Sequence, residues 1–194
     1  EKWIGRSIIV IQSDKYETID DVFERTHYMA GIQGARCTIE MKKLPREKFQ
    51  RFGDIHIFGY TDDKKECKRA ESFEIYNPSL TVEWLLIERH VNKARCLIML
   101  SEAGIALPAM YELGFDHNNC LACVKATSPG YWNRIRRFFP EIFLKRALQS
   151  RRLGVRLVRY KGVRIFLDEL PLDAASPDDD NIECGPVCQT PSLN

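Results

Sequence analysis

Two close cysteine pairs carry the most chemistry in this sequence: Cys120-Leu-Ala-Cys123 and Cys184-Gly-Pro-Val-Cys188. Thiolates at such spacings can bind one metal from a tight loop, and four of them suit zinc or a four-iron four-sulfur cluster. The chain has seven cysteines, at 37, 67, 96, 120, 123, 184 and 188. An odd number, behind a start that does not resemble a signal peptide, favours metal or redox chemistry over a disulfide framework. A chance pair or a plain dithiol is the competing reading of the Cys120/Cys123 spacing, and the second pair puts metal binding ahead of it. Cys67 and Cys96 read as ordinary thiols. Cys37 lies in Gly34-Ala-Arg-Cys-Thr-Ile-Glu-Met-Lys-Lys-Leu-Pro45, a loop entering a helix. Helix starts favour anions, and Arg36, Lys42 and Lys43 add positive charge there. A capped surface helix explains the same stretch equally well.

The formal net charge is only +2, from 29 Lys and Arg against 27 Asp and Glu. The charges are nevertheless segregated. Residues 131–164 hold eleven basic side chains and one acid, Glu141, whereas residues 168–183 hold seven acids and no Lys or Arg. The basic stretch also contains Tyr131, Trp132, Phe138, Phe139 and Tyr160. Aromatics among arginines can stack on single-stranded bases, which makes DNA or RNA a candidate partner of 131–164. The plainer reading makes Phe138, Phe139 and Phe143 the core face of an amphipathic helix and leaves Arg134, Arg136 and Arg137 open. His56, inside an apolar alternation, reads as a packed or edge residue. His117 is a reserve ligand beside Cys120. Asp168 and Glu169 invite an acid–base role, but a turn or strand end accounts for them better.

These side chains need elements to hold them. A β-branched run at 7–12 predicts a buried strand, 54–59 a second and 73–78 a third. Helices are expected over 19–29, with Thr18 or Asp20 as cap, over 40–52 with Pro45 near a first turn or break, and over 81–90. A polar loop with a helical part is expected at 60–72. The apolar stretch 97–100 reads as a helix end, 109–113 as a short helix closed by Gly114, and 131–153 as a long helix interrupted at Pro140. Residues on either side of Lys161-Gly162 predict a β-hairpin. Residues 173–182 read as an acidic tether. The expected fold is α/β: a partial doubly wound parallel sheet at 1–108, followed at 109–194 by a Cys-containing helical and hairpin subdomain. With 194 residues, 44% of them apolar, the chain can bury a core, and no apolar run approaches the roughly 20 residues of a membrane span. No membrane association and a cytoplasmic location are the resulting expectations.

Four stretches together resemble the phosphoadenosine phosphosulfate reductase family, within the adenine nucleotide alpha-hydrolase (PP-loop) superfamily. They are Arg36-Cys-Thr-x-Glu-x-Lys42 followed by Pro45, Phe58-Gly-Tyr-Thr-Asp62 with Arg69-Ala70, Asn118-Asn-Cys-x-x-Cys-Val-Lys125, and Ile182-Glu-Cys-Gly185. Their order and the 82 residues between Cys37 and Cys120 fit the family, and residues 110–188 look most similar to its phage and prophage members. The resemblance implies adenine-nucleotide binding by Arg36, Thr38, Lys42, Gly59, Thr61 and Arg69. It also implies a Cys-ligated iron–sulfur cluster or zinc on Cys120, Cys123, Cys184 and Cys188, with Cys37 as an alternative fourth ligand. In a sulfonucleotide reductase Cys184 would be the nucleophile.

Three departures qualify the resemblance. The family's opening Ser-Gly-Gly phosphate loop has no counterpart here, so the chain is expected to be either a piece of a longer protein or a member without that loop. The first thiol site reads Cys37-Thr38 rather than Cys-Cys. The tail continues Gly185-Pro-Val-Cys188 rather than Gly-Leu-His, which favours a ligand role for Cys184, and a metal-bound thiolate cannot also attack a sulfate ester. Sulfonucleotide reduction and ATP-pyrophosphatase-type sulfur or amine transfer are the two activities implied. A nucleic-acid-modifying or nucleic-acid-binding protein of the same superfamily, and a non-catalytic metal-stapled module, are the alternatives.

Overall fold

A computed structural model describes residues 4–175. Residues 176–194, which include most of the tether expected at 173–182 and both Cys184 and Cys188, lie outside the described residues. The fold is mixed α/β with small sheets, and it packs around two apolar clusters.

The larger cluster begins at α1 (Ile19–Thr26). Its start is closed reciprocally: the Thr18 hydroxyl accepts the Asp21 N–H at 3.1 Å, and the Asp21 carboxylate accepts the Thr18 N–H at 2.9 Å. Val22 and Phe23 from this helix are fully buried. The helix ends at a left-handed His27, so it is shorter than the pattern at 19–29 suggests. A tight antiparallel hairpin follows, β1 (Ala30–Gly31) and β2 (Gly34–Ala35).

Helical backbone then runs from 36 to 49 as α2 (Arg36–Thr38), a π-turn (Ile39–Lys43) and α3 (Leu44–Phe49), four residues earlier than expected. The Leu44 N–H bonds to the Ile39 carbonyl, five residues back. Pro45 has no N–H to give and its ring would crowd the carbonyl four residues earlier; the widened turn just before it relieves both problems.

The smaller cluster is built on one βαβ unit. Strands β3 (Ile55–Ile57) and β4 (Thr81–Glu83) pair in parallel, with Ile55 opposite Thr81 and Ile57 opposite Glu83. Helix α4 (Lys64–Tyr76) connects them. Ala70, Phe73 and Trp84 are buried together, with Phe58 and Tyr60 stacked on the Trp84 ring at 5.6 and 5.1 Å. The expected strand at 73–78 is therefore the end of a helix. Ala70 and Phe73 are spaced to face Trp84 on a helix, and the Asn77 side chain donates to the Phe73 carbonyl at 2.8 Å. The expected helix at 81–90 begins instead with β4, and only α5 (Leu85–Glu88) is helical. Helices α6 (Lys93–Glu102) and α7 (Ala109–Glu112) complete this stretch, and Gly114 follows α7 at a φ of +79°.

The C-terminal part meets its expectations closely. Helices α8 (Pro129–Phe138) and α9 (Pro140–Arg152) are separated at Phe139–Pro140, and β5 (Val158–Tyr160) pairs antiparallel with β6 (Val163–Ile165). Lys161 and Gly162 both take positive φ, 47° and 84°, the two-residue turn whose twist matches a hairpin. A 3₁₀ turn (Leu167–Glu169) follows. The larger cluster gathers α1, α8, α9 and β5 with the 122–126 segment, so it draws on both sides of residue 108.

The doubly wound sheet is not found among the described residues. They hold three two-stranded sheets, and only β3–β4 is parallel. The run at 7–12 is not a strand: Ile8, Ile9 and Val10 are 58%, 72% and 73% exposed. β-branched residues favour a strand only where a neighbouring strand accepts the ladder bonds and covers a face, and 7–12 joins none of the three sheets among the described residues. No helix among the described residues is long and apolar enough to cross a membrane.

Candidate functional site

The thiol loop is held by the start of α8. Ser128 caps that helix by accepting the Tyr131 N–H at 3.3 Å, which turns the Tyr131 ring beneath residues 120–123. The Tyr131 hydroxyl accepts the Cys123 N–H at 2.9 Å and donates to the Cys120 carbonyl at 3.4 Å. Next to it, the Trp132 indole N–H donates to the Ala126 carbonyl at 2.9 Å. The loop turns through Ala122, fully buried at a φ of +53°, and is closed by the Ala126 N–H on the Cys123 carbonyl at 3.0 Å. A left-handed alanine is uncommon, and here Tyr131 and Trp132 hold the backbone on both sides of it.

Cys37 comes to this loop from far away in sequence. It packs against the same apolar cluster as Cys123, at the start of the 36–49 helical stretch. Burial pushes its thiol up to about 11, and the nearby Cys123 and Cys120 push in the same direction, while Lys125 and Lys42 act against them. The fold therefore brings together three expected thiol ligands, Cys37, Cys120 and Cys123, with Lys42 and Lys125 close enough to act on them electrostatically. Cys123 is buried, Cys37 half-buried and Cys120 exposed.

The donor set is soft and suits zinc or an iron–sulfur cluster. Among the described residues, however, no three His, Cys, Asp or Glu side chains are grouped tightly enough to hold a metal ion. The expected ligands Cys184 and Cys188 lie outside the described residues. Cys67 and Cys96 are half-buried, with Cys67 3.6 Å from the Asp62 carboxylate. His117 is exposed, 3.4 Å from the Lys93 ammonium.

The six residues expected at a nucleotide divide between the two clusters. Arg36, Thr38 and Lys42 stand on the helical stretch that carries Cys37. Arg36 pairs with Glu40 at 2.7 Å, yet its buried Nε has no hydrogen-bond partner among the described residues. It lines a cavity of about 400 Å³ together with Thr26, Tyr28, Gln33 and Ile39. Gly59, Thr61 and Arg69 stand at the βαβ unit. The Thr61 hydroxyl donates to Asp63 at 2.7 Å, and Arg69 pairs with Glu66 at 2.5 Å and covers the Tyr60 ring at 4.8 Å. Both side chains are thus engaged within the protein.

The aromatics of 131–164 mostly serve the core. Tyr131, Trp132 and Phe143 are buried and Phe139 packs against the cluster, whereas Phe138 is exposed, contrary to its expected core position. Arg134 donates to the Gly114 carbonyl at 2.6 Å, and Arg136 to those of Leu167 and Leu170, both at 3.0 Å. Arg146 pairs with Asp20 at 2.8 Å, and Arg151 reaches Asp168 at 2.8 Å and Glu169 at 3.1 Å. Much of the basic stretch is therefore structural, and the Asp168–Glu169 pair is tied to Arg151 at a turn.

The sequence singled out Tyr131 as a stacking candidate and overlooked its grip on the thiol loop. Its signal was present as a Ser-Pro helix start eight residues past the first cysteine of the pair. No family model, curated protein or solved structure significantly matches this chain.

Proposed function

We propose that this chain is a phosphoadenosine phosphosulfate reductase-like protein that binds an adenine nucleotide and holds a thiolate-ligated centre. Cys37, Cys120 and Cys123 would supply three ligands and Cys184 or Cys188 the fourth, to a four-iron four-sulfur cluster or to zinc. The observation carrying this reading is that Cys37 packs against the same apolar cluster as Cys123, although 82 residues separate it from Cys120. An unrelated surface thiol has no reason to meet that loop. The orphaned Nε of Arg36 beside a cavity supports an anion, such as a nucleotide phosphate, on the same helical stretch. With Cys184 as a ligand, ATP-pyrophosphatase-type sulfur or amine transfer is preferred over sulfonucleotide reduction. In either case the bound centre would be electron-rich sulfur chemistry held by the three thiols, with Lys42 and Lys125 offsetting the negative charge of the thiolates.

The test is iron, sulfide and zinc content of anaerobically purified protein, with an ultraviolet–visible spectrum of the same sample. The reading expects a stoichiometric metal that Cys37→Ser and Cys120→Ser each abolish, while Cys67→Ser and Cys96→Ser retain it. Metal-free protein, or metal indifferent to Cys37, would overturn it. Sulfite release from a phosphosulfate nucleotide then separates the two activities, and a rate unchanged by Cys184→Ser rules out Cys184 as a reductase nucleophile.

A further inference from the structure

A second feature of the larger cluster lies beside the thiol loop. The β1–β2 hairpin, residues 124–127, the 154–157 segment and β6 surround a groove of about 780 Å³, within the range of small-molecule sites. Among the described residues its charged lining is entirely positive: Lys125, Arg156 and Arg164, with no Asp or Glu. The rest is small or apolar, including Gly31, Gly34 and Gly154, which leave backbone bare along one wall.

Two of these cations, Arg156 and Arg164, are held in place. The Arg164 guanidinium donates to the Leu157 carbonyl at 2.8 Å. The Arg156 guanidinium lies 5.1 Å from the Phe166 ring centre. Holding them so is unfavourable in the empty protein. Arg164 sits directly opposite Arg159 in the β5–β6 ladder, and like charges facing each other across strands repel. Burial, and then Arg159, lower the pKa of Arg164 from its usual value. A hairpin that stacks two arginines, against a groove with no carboxylate among its described lining residues, is relieved by a bound anion.

We propose that this groove is a binding site for a small phosphate- or sulfate-type oxyanion, gripped by Lys125, Arg156 and Arg164. The planar guanidinium forks suit tetrahedral oxyanions, and three cations suit a ligand with two linked groups, such as a diphosphate. No aromatic ring is among the described residues that line the groove, so they offer none of the stacking surface that a single-stranded nucleic acid uses. The site is separate from Arg36, Thr38, Lys42, Gly59, Thr61 and Arg69. It does not depend on a metal at the thiols, so its failure and the failure of the reading above are distinguishable.

The experiment is titration calorimetry of the full chain with inorganic pyrophosphate and with sulfate, against chloride at matched ionic strength. Saturable pyrophosphate binding is expected, weakened at least tenfold by Arg156→Gln and by Lys125→Gln and unchanged by Lys68→Gln outside the groove. Arg156 is exposed, so its variant is expected to fold, and thermal melts of every variant without ligand verify this. Phosphorus line broadening of pyrophosphate by the unsubstituted protein gives an independent reading. Absence of binding, an equal response to chloride, or affinity untouched in both groove variants overturns the proposal. So does tighter binding of a single-stranded oligonucleotide that the same two substitutions abolish, which would assign the groove to nucleic acid.

Discussion

The Tyr131 hydroxyl sits 2.9 Å from the Cys123 backbone N–H, so the first turn of α8 fixes the loop that presents Cys120 and Cys123. One phenol oxygen serves a donor and an acceptor on that loop, and Cys123 is buried. Tyr131→Phe removes the oxygen and leaves a buried N–H without its partner. The expected cost is about 1–3 kcal/mol in thermal or denaturant unfolding. Cys123 should also become markedly more reactive toward an alkylating agent than in the parent protein. Unchanged stability and unchanged Cys123 labelling would show that the loop holds itself.

Cys37 offers a chemical check on the same site. Its thiol is raised from 9.0 to about 11, chiefly by burial. At pH 8 the metal-free protein should carry about a hundredfold less thiolate at Cys37 than at a thiol of ordinary pKa, because each unit is tenfold. Timed alkylation with mass mapping should find Cys37 among the slowest of the cysteines. The folded form prefers the neutral thiol, so the associated stability is intact below pH 9.0 and is lost as pH rises toward about 11. Rapid labelling of Cys37 at pH 8 would contradict its burial beside the loop.

Asp20 ties α1 to α9. Burial raises its pKa, but Lys145 and Arg146 outweigh that, and the net shift is downward. Arg146 is 4% exposed, so it depends on this carboxylate and on its position over the Phe23 ring at 5.1 Å. Asp20→Asn should cost roughly 2 kcal/mol, between the values typical of exposed and of buried pairs. In the parent protein the contribution is present in full above the ordinary carboxylate value of 3.8 and disappears as pH falls through the lowered one. The difference in melting between parent and variant should therefore be largest at pH 7 and narrow steadily as pH falls below 3.8.

The same substitution at two isoleucines separates pattern from packing. Ile9 is 72% exposed and Ile135 on α8 is fully buried. Ile135→Ala should cost about 2–5 kcal/mol, and Ile9→Ala should stay within about 0.5 kcal/mol. A large loss at Ile9 in chemical denaturation would mean that 7–12 is packed after all.

Local rules made much of this protein legible from its residues. The Thr18 cap and Asp21, Gly114 after α7, Pro140 between α8 and α9, and Lys161-Gly162 in its hairpin each act within a few residues, so their sequence determines their geometry. The cysteine spacing likewise determined that two thiols share one short loop at 120–123. Only the tertiary structure decided the rest. The strand tendency of 7–12 depends on a neighbouring ladder, and the run joins no sheet among the described residues, while 73–76 went to α4 because Phe73 is buried there against Trp84. The basic stretch looked like one feature, yet packing split it: some arginines are spent on carbonyls and carboxylates, while Arg156 and Arg164 line a groove with Lys125. Periodicity and spacing describe what a segment can do by itself. Which face is covered, and which charges meet, depends on residues brought together from a hundred positions away, as in the Asp20–Arg146 pair 126 residues apart.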